Sequence, residues 1–282
     1  MSRLLSRSSI ALTTLALACT LACNGSSSDD ADTETTEEES ESNFDDGTGL
    51  PEGDCADVCG TPNCGTCPGE TPMVAGAGFN VEAYEVTNAQ YAALLEVEFS
   101  AEAVPSGCDW KSGFEPDDWD LSPADDLPVV GVDWCDAALY CEWIGKRLCG
   151  AIGGGPANPD DADDPNTDEW FSACSDAGAL AFPYGADYDA AACNGADSGN
   201  DALLPGGSLA TCEGGIAGVF DMSGNVWEWT NACDAAGGDA NTECRRRGGG
   251  RFSDPDSMRC AVNSLRPRGT RDNATGIRCC SD

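Results

Sequence analysis

Sixteen cysteines follow Cys23 in this 282-residue chain, an even number. Behind an export signal, cysteines in such numbers are expected to close as disulfides. A chain braced in this way needs little regular structure to hold its shape. The first four, Cys55, Cys59, Cys64 and Cys67, are spaced C-x3-C-x4-C-x2-C. Four thiolates this close can hold zinc, but the spacing is not that of a zinc ribbon and the compartment is oxidising. We read two small disulfides here. Cys233 and Cys244 bracket a short loop and are expected to close it.

The export reading rests on residues 1–22. Arg3 and Arg7 supply positive charge, and residues 10–17 supply an apolar run too short to cross a bilayer. Leu21-Ala22-Cys23 places a small residue before a cysteine, and Asn24-Gly25-Ser26 follows as a loose stretch. Cys23 is therefore expected to be lipidated and to tether the chain to a membrane of the bacterial cell envelope. An ordinary cleaved signal peptide is the plainer alternative.

Residues 23–54 read as an acidic, disordered tether, with twelve acids and no base between Asp29 and Asp54. Residues 55–72 read as a cysteine-rich stalk, and residues 73–282 as a globular domain. The formal net charge of −36 excludes nucleic acid as a partner held through bulk charge. Nine of the 14 bases nevertheless lie in the last 38 residues: Arg245, Arg246, Arg247, Arg251, Arg259, Arg266, Arg268, Arg271 and Arg278.

Hydrophobic patterning predicts a strand over residues 81–86 and a helix over 88–97, capped by Thr87 or Asn88. A buried strand is expected over 128–132. It leads into a capping box in which Asp133 caps and Asp136 stands in for the usual Glu. The helix that follows places Trp134, Ala138, Cys141 and Ile144 on one face, and Gly145 can end it. Thr167 or Asp168 can cap a further helix over 169–175. Beyond that, Gly- and Asp-rich loops dominate, and the pattern gives a loop-heavy α+β domain.

Six motifs in order carry a resemblance. They are Tyr84-Glu85-Val86-Thr87-Asn88-Ala89-Gln90-Tyr91; Pro128-Val129-Val130-Gly131-Val132-Asp133-Trp134 with Tyr140-Cys141-Glu142-Trp143; Glu169-Trp170-Phe171 with Phe182-Pro183-Tyr184-Gly185; Asp221-Met222-Ser223-Gly224-Asn225-Val226-Trp227-Glu228-Trp229; Arg247-Gly248-Gly249-Gly250; and Gly276-Ile277-Arg278-Cys279. The chain resembles the formylglycine-generating-enzyme (sulfatase-modifying factor) family from about Met73 to Cys279.

The resemblance implies an elaborated C-type-lectin-like fold. It also implies the disulfides Cys141–Cys279 and Cys174–Cys260, and Cys149–Cys280 is a further expected pair. By the same resemblance, calcium is expected at the side chains of Asp221 and Glu228 and the carbonyls of Gly224 and Val226. Carboxylates around a tight glycine turn suit this hard cation. A second calcium site near Asn194 departs from the family pattern.

Family enzymes oxidise a substrate-protein cysteine to formylglycine with oxygen, using two cysteines that hold copper(I). Copper(I) needs soft thiolates. Here Ser253 stands at the expected first cysteine position, and no cysteine fills the second place. Copper is therefore not expected. A related branch uses a histidine-bound iron, and this chain has no histidine.

Two functions compete. One is a formylglycine-generating oxidase, favoured by fold and motif order. The other is a non-catalytic recognition module, favoured by the missing cysteine pair. In the second, Arg251, Arg259, Arg266 and Arg268, with Arg271, lie where the family forms its substrate groove, and they are candidates to hold an acidic peptide, protein or glycan. The plainer possibility is that these arginines pair with the chain's own acids. Mass spectrometry of the mature N-terminus is expected to find a lipid-modified Cys23, and an unmodified start elsewhere would refute the tether.

Overall fold

The computed structural model describes residues 53–119 and 123–282. The expected signal segment, Cys23 and nearly all of the expected acidic tether lie outside the described residues. No described helix is long and apolar enough to cross a membrane. The architecture is α+β, as expected, with three short helices, two four-stranded sheets and a small hairpin.

The first sheet has the order β1 (Met73–Ala75), β2 (Asn80–Glu82), β10 (Cys279–Ser281), β3 (Arg147–Leu148), all antiparallel. β10 thus fills the place between two strands that precede it by more than a hundred residues. The expected strand over 81–86 ends early, at Glu82. Beyond it the backbone turns so that the Glu85 side chain is carried inward, where it is buried.

α1 (Asn88–Leu95) begins at Thr87, which caps the Gln90 amide while Gln90 returns the bond to the Thr87 backbone. α2 (Trp134–Trp143) begins at the expected box, with Asp133 accepting from the Asp136 amide at 3.0 Å and Asp136 from the Asp133 amide at 2.8 Å. Nine of its ten residues are buried, so α2 is a central element instead of a one-faced surface helix. Gly145, at φ 73°, takes the left-handed conformation that ends it. α3 (Glu169–Cys174) is capped by Asp168, whose carboxylate accepts from the Phe171 amide at 2.7 Å. Burial pushes the Asp168 carboxyl up to about 6.

Residues 128–132 do not form the expected strand. Pro128 has no amide proton to give, and Gly131 at φ 76° breaks the extension. The Thr87–Pro128 bridge and a bond from the Val129 amide to the Val86 carbonyl remain, while Gly131 bonds instead to Asp272 and Asp117.

Regular structure beyond α3 is richer than the sequence suggested. β4 (Glu213–Gly214) and β5 (Ile216–Phe220) form the hairpin. β6 (Trp227–Cys233), β7 (Glu243–Arg247), β8 (Ser264–Pro267) and β9 (Thr275–Gly276) make the second sheet in the order β8-β7-β6-β9. The β6–β9 pair is parallel.

All sixteen cysteines of the described residues are paired. Cys141–Cys279, Cys174–Cys260, Cys149–Cys280 and Cys233–Cys244 form as expected. Cys55–Cys64 and Cys59–Cys67 are the two small disulfides, so these thiols hold no zinc. Cys108–Cys135 and Cys193–Cys212 complete the set.

One boundary is corrected. Residues 55–72 are not a separate stalk, because their cysteines are seated in the main core. The Cys59 amide donates to the Trp143 carbonyl at 2.7 Å, and Trp143 Nε1 donates to the Cys64 carbonyl at 2.8 Å. Satisfying the buried indole requires this clip against the end of α2.

The Cys141–Cys279 disulfide spans a sequence separation of 138. By loop-closure entropy it contributes on the order of 4 kcal/mol. Replacing both cysteines by Ala is expected to lower the denaturation free energy by about that amount. A variant as stable as the parent in urea titration would show that the strand pairing alone holds β10.

Candidate functional site

Ser253 and its neighbours sit between two close turns. Gly248 and Gly249 leave β7 with φ of 87° and 75°. A side chain on Gly249 would press on Ser253 Cβ at 3.1 Å, so the turn is closed against the serine. Ser253 Oγ accepts from the Gly250 amide at 2.9 Å, and the Ser253 amide donates to the Gly250 carbonyl at 2.8 Å. The Ser253 carbonyl accepts from the Ala196 amide at 3.0 Å, which ties the turn to the segment after Asn194. Ser253 is therefore a buried turn-former, not an exposed nucleophile.

The second turn, 221–225, joins β5 to β6. Asp221, Gly224 and Asn225 all have positive φ, at 61°, 81° and 57°. Such strain in non-glycine residues persists only where surrounding bonds enforce it. Here the Asn225 amide donates to the Asn194 carbonyl, and the Gly224 amide donates to the Gly248 carbonyl. Asn225 Nδ2 donates to Glu85 Oε2 at 2.6 Å. Gly224 is required, since a Cβ there would lie 2.5 Å from the Asn194 carbonyl oxygen.

Behind these turns lies a buried cluster of Glu85, Asp221, Glu228 and Arg278. Arg278 Nε donates to Glu228 Oε1 at 2.9 Å, and Nη2 lies 2.7 Å from the same oxygen. Its remaining donors reach the carbonyls of Glu82 and Phe220. Trp170 Nε1 donates to Glu228 Oε2 at 2.6 Å. Asp221 Oδ2 accepts from the Gly207 amide, and burial raises its carboxyl to about 6. Burial, followed by repulsion from Asp221 and Glu228, pushes Glu85 well above the ordinary carboxylate range.

This arrangement does not fit the calcium set expected from sequence. Both Glu228 oxygens are engaged, and the guanidinium of Arg278 already supplies the positive charge. Among the described residues, no group of three or more acids, cysteines or histidines is arranged to hold a metal ion. Sequence reading missed Glu85 and Arg278 as members of this cluster. Their positions inside two of the six motifs were the signal available.

The arginines divide into two sets. Arg268 is fully buried, stacks on Trp134 at 4.4 Å and donates to the carbonyls of Ser106, Gly107, Gly238, Ala235 and Ala236. It braces loops and is not the ligand-binding residue expected from sequence. Arg246 pairs with Asp272, Arg271 with Asp117, Asp133 and Asp136, and Arg247 stacks on Trp170.

The second set remains near the surface. Arg251 is half-buried; it donates to the Asn273 carbonyl at 2.8 Å and lies 4.3 Å over the ring of Phe252, itself 60% exposed. Arg259 is exposed, with Asp256 at 3.4 Å and the Phe182 ring at 5.1 Å. Arg266 is exposed and bonds only its neighbour's carbonyl, that of Leu265.

These features define a disulfide-braced α+β domain whose glycine turns pack against a buried acid–arginine cluster. A profile of the sulfatase-modifying factor enzyme 1-like domain matches residues 46–282, and the chain belongs to that family. Serine/threonine-protein kinase Pkn1 of Chlamydia trachomatis is similar at 31% identity over 170 residues, which is 55% of this chain and 24% of that protein. Inactive C-alpha-formylglycine-generating enzyme 2 of Mus musculus is 28% identical over 176 residues, 51% of each chain. Formylglycine-generating enzyme of Bos taurus is 23% identical over 276 residues, covering 76% of this chain and 69% of that one. The chain spans about a quarter of the kinase and about half of the inactive enzyme.

The cluster sets a test of the metal reading. Glu228→Gln removes the hydrogen-bonded counter-charge of the buried Arg278 guanidinium and leaves only Glu85 and Asp221 to offset it, a loss of up to about 3–5 kcal/mol. The same loss is expected by denaturant titration in calcium and in chelator. A loss confined to calcium-containing buffer would restore Glu228 as a calcium ligand.

Proposed function

We propose that this sulfatase-modifying-factor-like domain is a non-catalytic recognition module, held at the cell envelope by a lipidated Cys23. One observation carries the reading: every cysteine of the described residues is closed in a disulfide, and a hydrogen-bonded serine stands where the first copper thiolate belongs. Copper(I) needs two thiolates, and a hydroxyl is a hard, protonated substitute.

The surface beside Ser253 supports a binding role. Arg251, Phe252 and Arg259 present guanidinium groups and an exposed ring within eight positions of one another. Arg266 adds a further exposed cation on β8. The ligand class that suits them is an acidic peptide, protein or glycan, bound by charge-assisted hydrogen bonds and weakened by salt. Arg268 has no part in this surface.

Oxidase activity is the competing reading, supported by the resemblance to the bovine enzyme. Incubation with copper(I), oxygen and a cysteine peptide bearing the sulfatase motif decides between the two. No formylglycine is expected by mass spectrometry, and turnover would overturn the non-enzyme reading. Binding is read separately with a polyglutamate peptide and a sulfated polysaccharide. Replacing Arg251 and Arg259 by Ala is expected to lower affinity severalfold at low salt without changing the thermal midpoint. Unchanged affinity for both probes would remove this surface as the binding site.

A further inference from the structure

One group of buried ionisable side chains has no part in the reading above. Lys111 Nζ lies 2.5 Å from Asp133 Oδ2 and 2.5 Å from Asp136 Oδ1. All three residues are buried. The ring of Phe114 is centred 5.3 Å from the ammonium and that of Trp110 5.6 Å from it. Arg271 faces the same carboxylates, with Nε 3.2 Å from Asp133 Oδ2 and Nη2 2.9 Å from Asp136 Oδ2. The Cys108–Cys135 disulfide fixes the lysine-bearing loop to the first turn of α2, between the two aspartates in sequence. A cavity of about 230 Å³, lined by Trp110, Lys111, Asp133 and Arg271 among others, connects the group to the surface.

We propose that Lys111 and Asp133 condense into an intramolecular amide, a covalent cross-link between the loop and the start of α2. The step balances without any co-reactant. Lys111 Nζ gives a proton to Asp136 and attacks Cγ of Asp133. A C–N bond forms and the bond from Cγ to Oδ2 breaks. Oδ2 leaves as water, taking its protons from the former ammonium, one of them through Asp136. An ammonium and a carboxylate become one amide and one water, with no change of oxidation state.

Each neighbour has a place in that step. Negative charge in the tetrahedral intermediate gathers on Oδ1, which accepts from the Asp136 amide, while Arg271 Nε, 3.2 Å from Oδ2, orients the oxygen that leaves. Asp136 touches the amine and is held at about 7, chiefly by burial and then by Asp133, so it can take and return a proton near neutral pH. Asp133 Oδ1 accepts from the Asp136 amide and becomes the amide carbonyl, so the helix cap survives. The disulfide and the buried rings hold the reacting atoms together, which replaces an encounter by a local step. Condensation also removes two charges from a site where desolvation penalises both. The remaining Asp136–Arg271 pair stays intact. In water the balance favours hydrolysis, and burial is what reverses it.

The test uses the full chain, with all disulfides reduced and alkylated before intact mass measurement. The expected mass is lower by one water than the sequence requires, and trypsin is expected not to cut after Lys111. A dehydrated aspartate elsewhere would lose the same mass but leave Lys111 cleavable and reactive toward amine reagents, which would overturn the proposal. A full-mass protein with a cleavable Lys111 would also overturn it and leave an ion-pair brace. Asp136→Asn is expected to restore the full mass. The parent measurement decides the question even if that variant fails to fold.

Discussion

β10 is three residues long, yet both halves of the molecule are attached to it. It pairs with β2 on one side and β3 on the other, and its two cysteines bond to Cys141 on α2 and to Cys149 just beyond β3. No strand of the first sheet exceeds three residues. Ladders so short have few hydrogen bonds, and a sheet of this kind needs other support. Disulfides with sequence separations of 131 and 138 supply it by restricting the unfolded chain. The capping boxes and the Trp143 clip then orient α1 and α2 around that fixed strand.

The charge distribution follows from the same economy of regular structure. Long loops leave many carbonyls without partners, and arginine is well suited to collect them with its five donors. Arg268 gathers the carbonyls of two loops, and Arg278 joins Glu228 to the backbone of Glu82 and Phe220. The cluster of bases in an acidic sequence is thus largely internal, and only Arg251, Arg259 and Arg266 are left for contacts at the surface.

Much of the scaffold was legible in the sequence because its signals are local. Thr87 or Asn88, and Asp133 with Asp136, announce two helix starts, and Gly145 announces a stop. The long disulfides could be named only through the resemblance, since spacing cannot assign partners among sixteen cysteines. The second sheet was missed because β6 is buried throughout most of its length and shows no alternation of polar and apolar residues. The stalk was misjudged because cysteine-rich spacing does not reveal the indole beneath it. At the site, the turn glycines and Ser253 were readable. The partnership of Glu228 with Arg278 was not, because it joins residues fifty positions apart.

The adjacency of Cys279 and Cys280 has a consequence for how the chain finds its covalent pattern. Neighbouring residues of a strand point to opposite faces. Cys279 enters the core that contains α2 and Cys141, and Cys280 enters the core that contains Cys149 and Cys174. The pleat therefore sorts two otherwise equivalent thiols between two potential partners. A slip of one residue would exchange them, and with them every contact of Ile277 and Arg278. Correct oxidation becomes a readout of correct register: the chain can lock only after the strand has chosen its face.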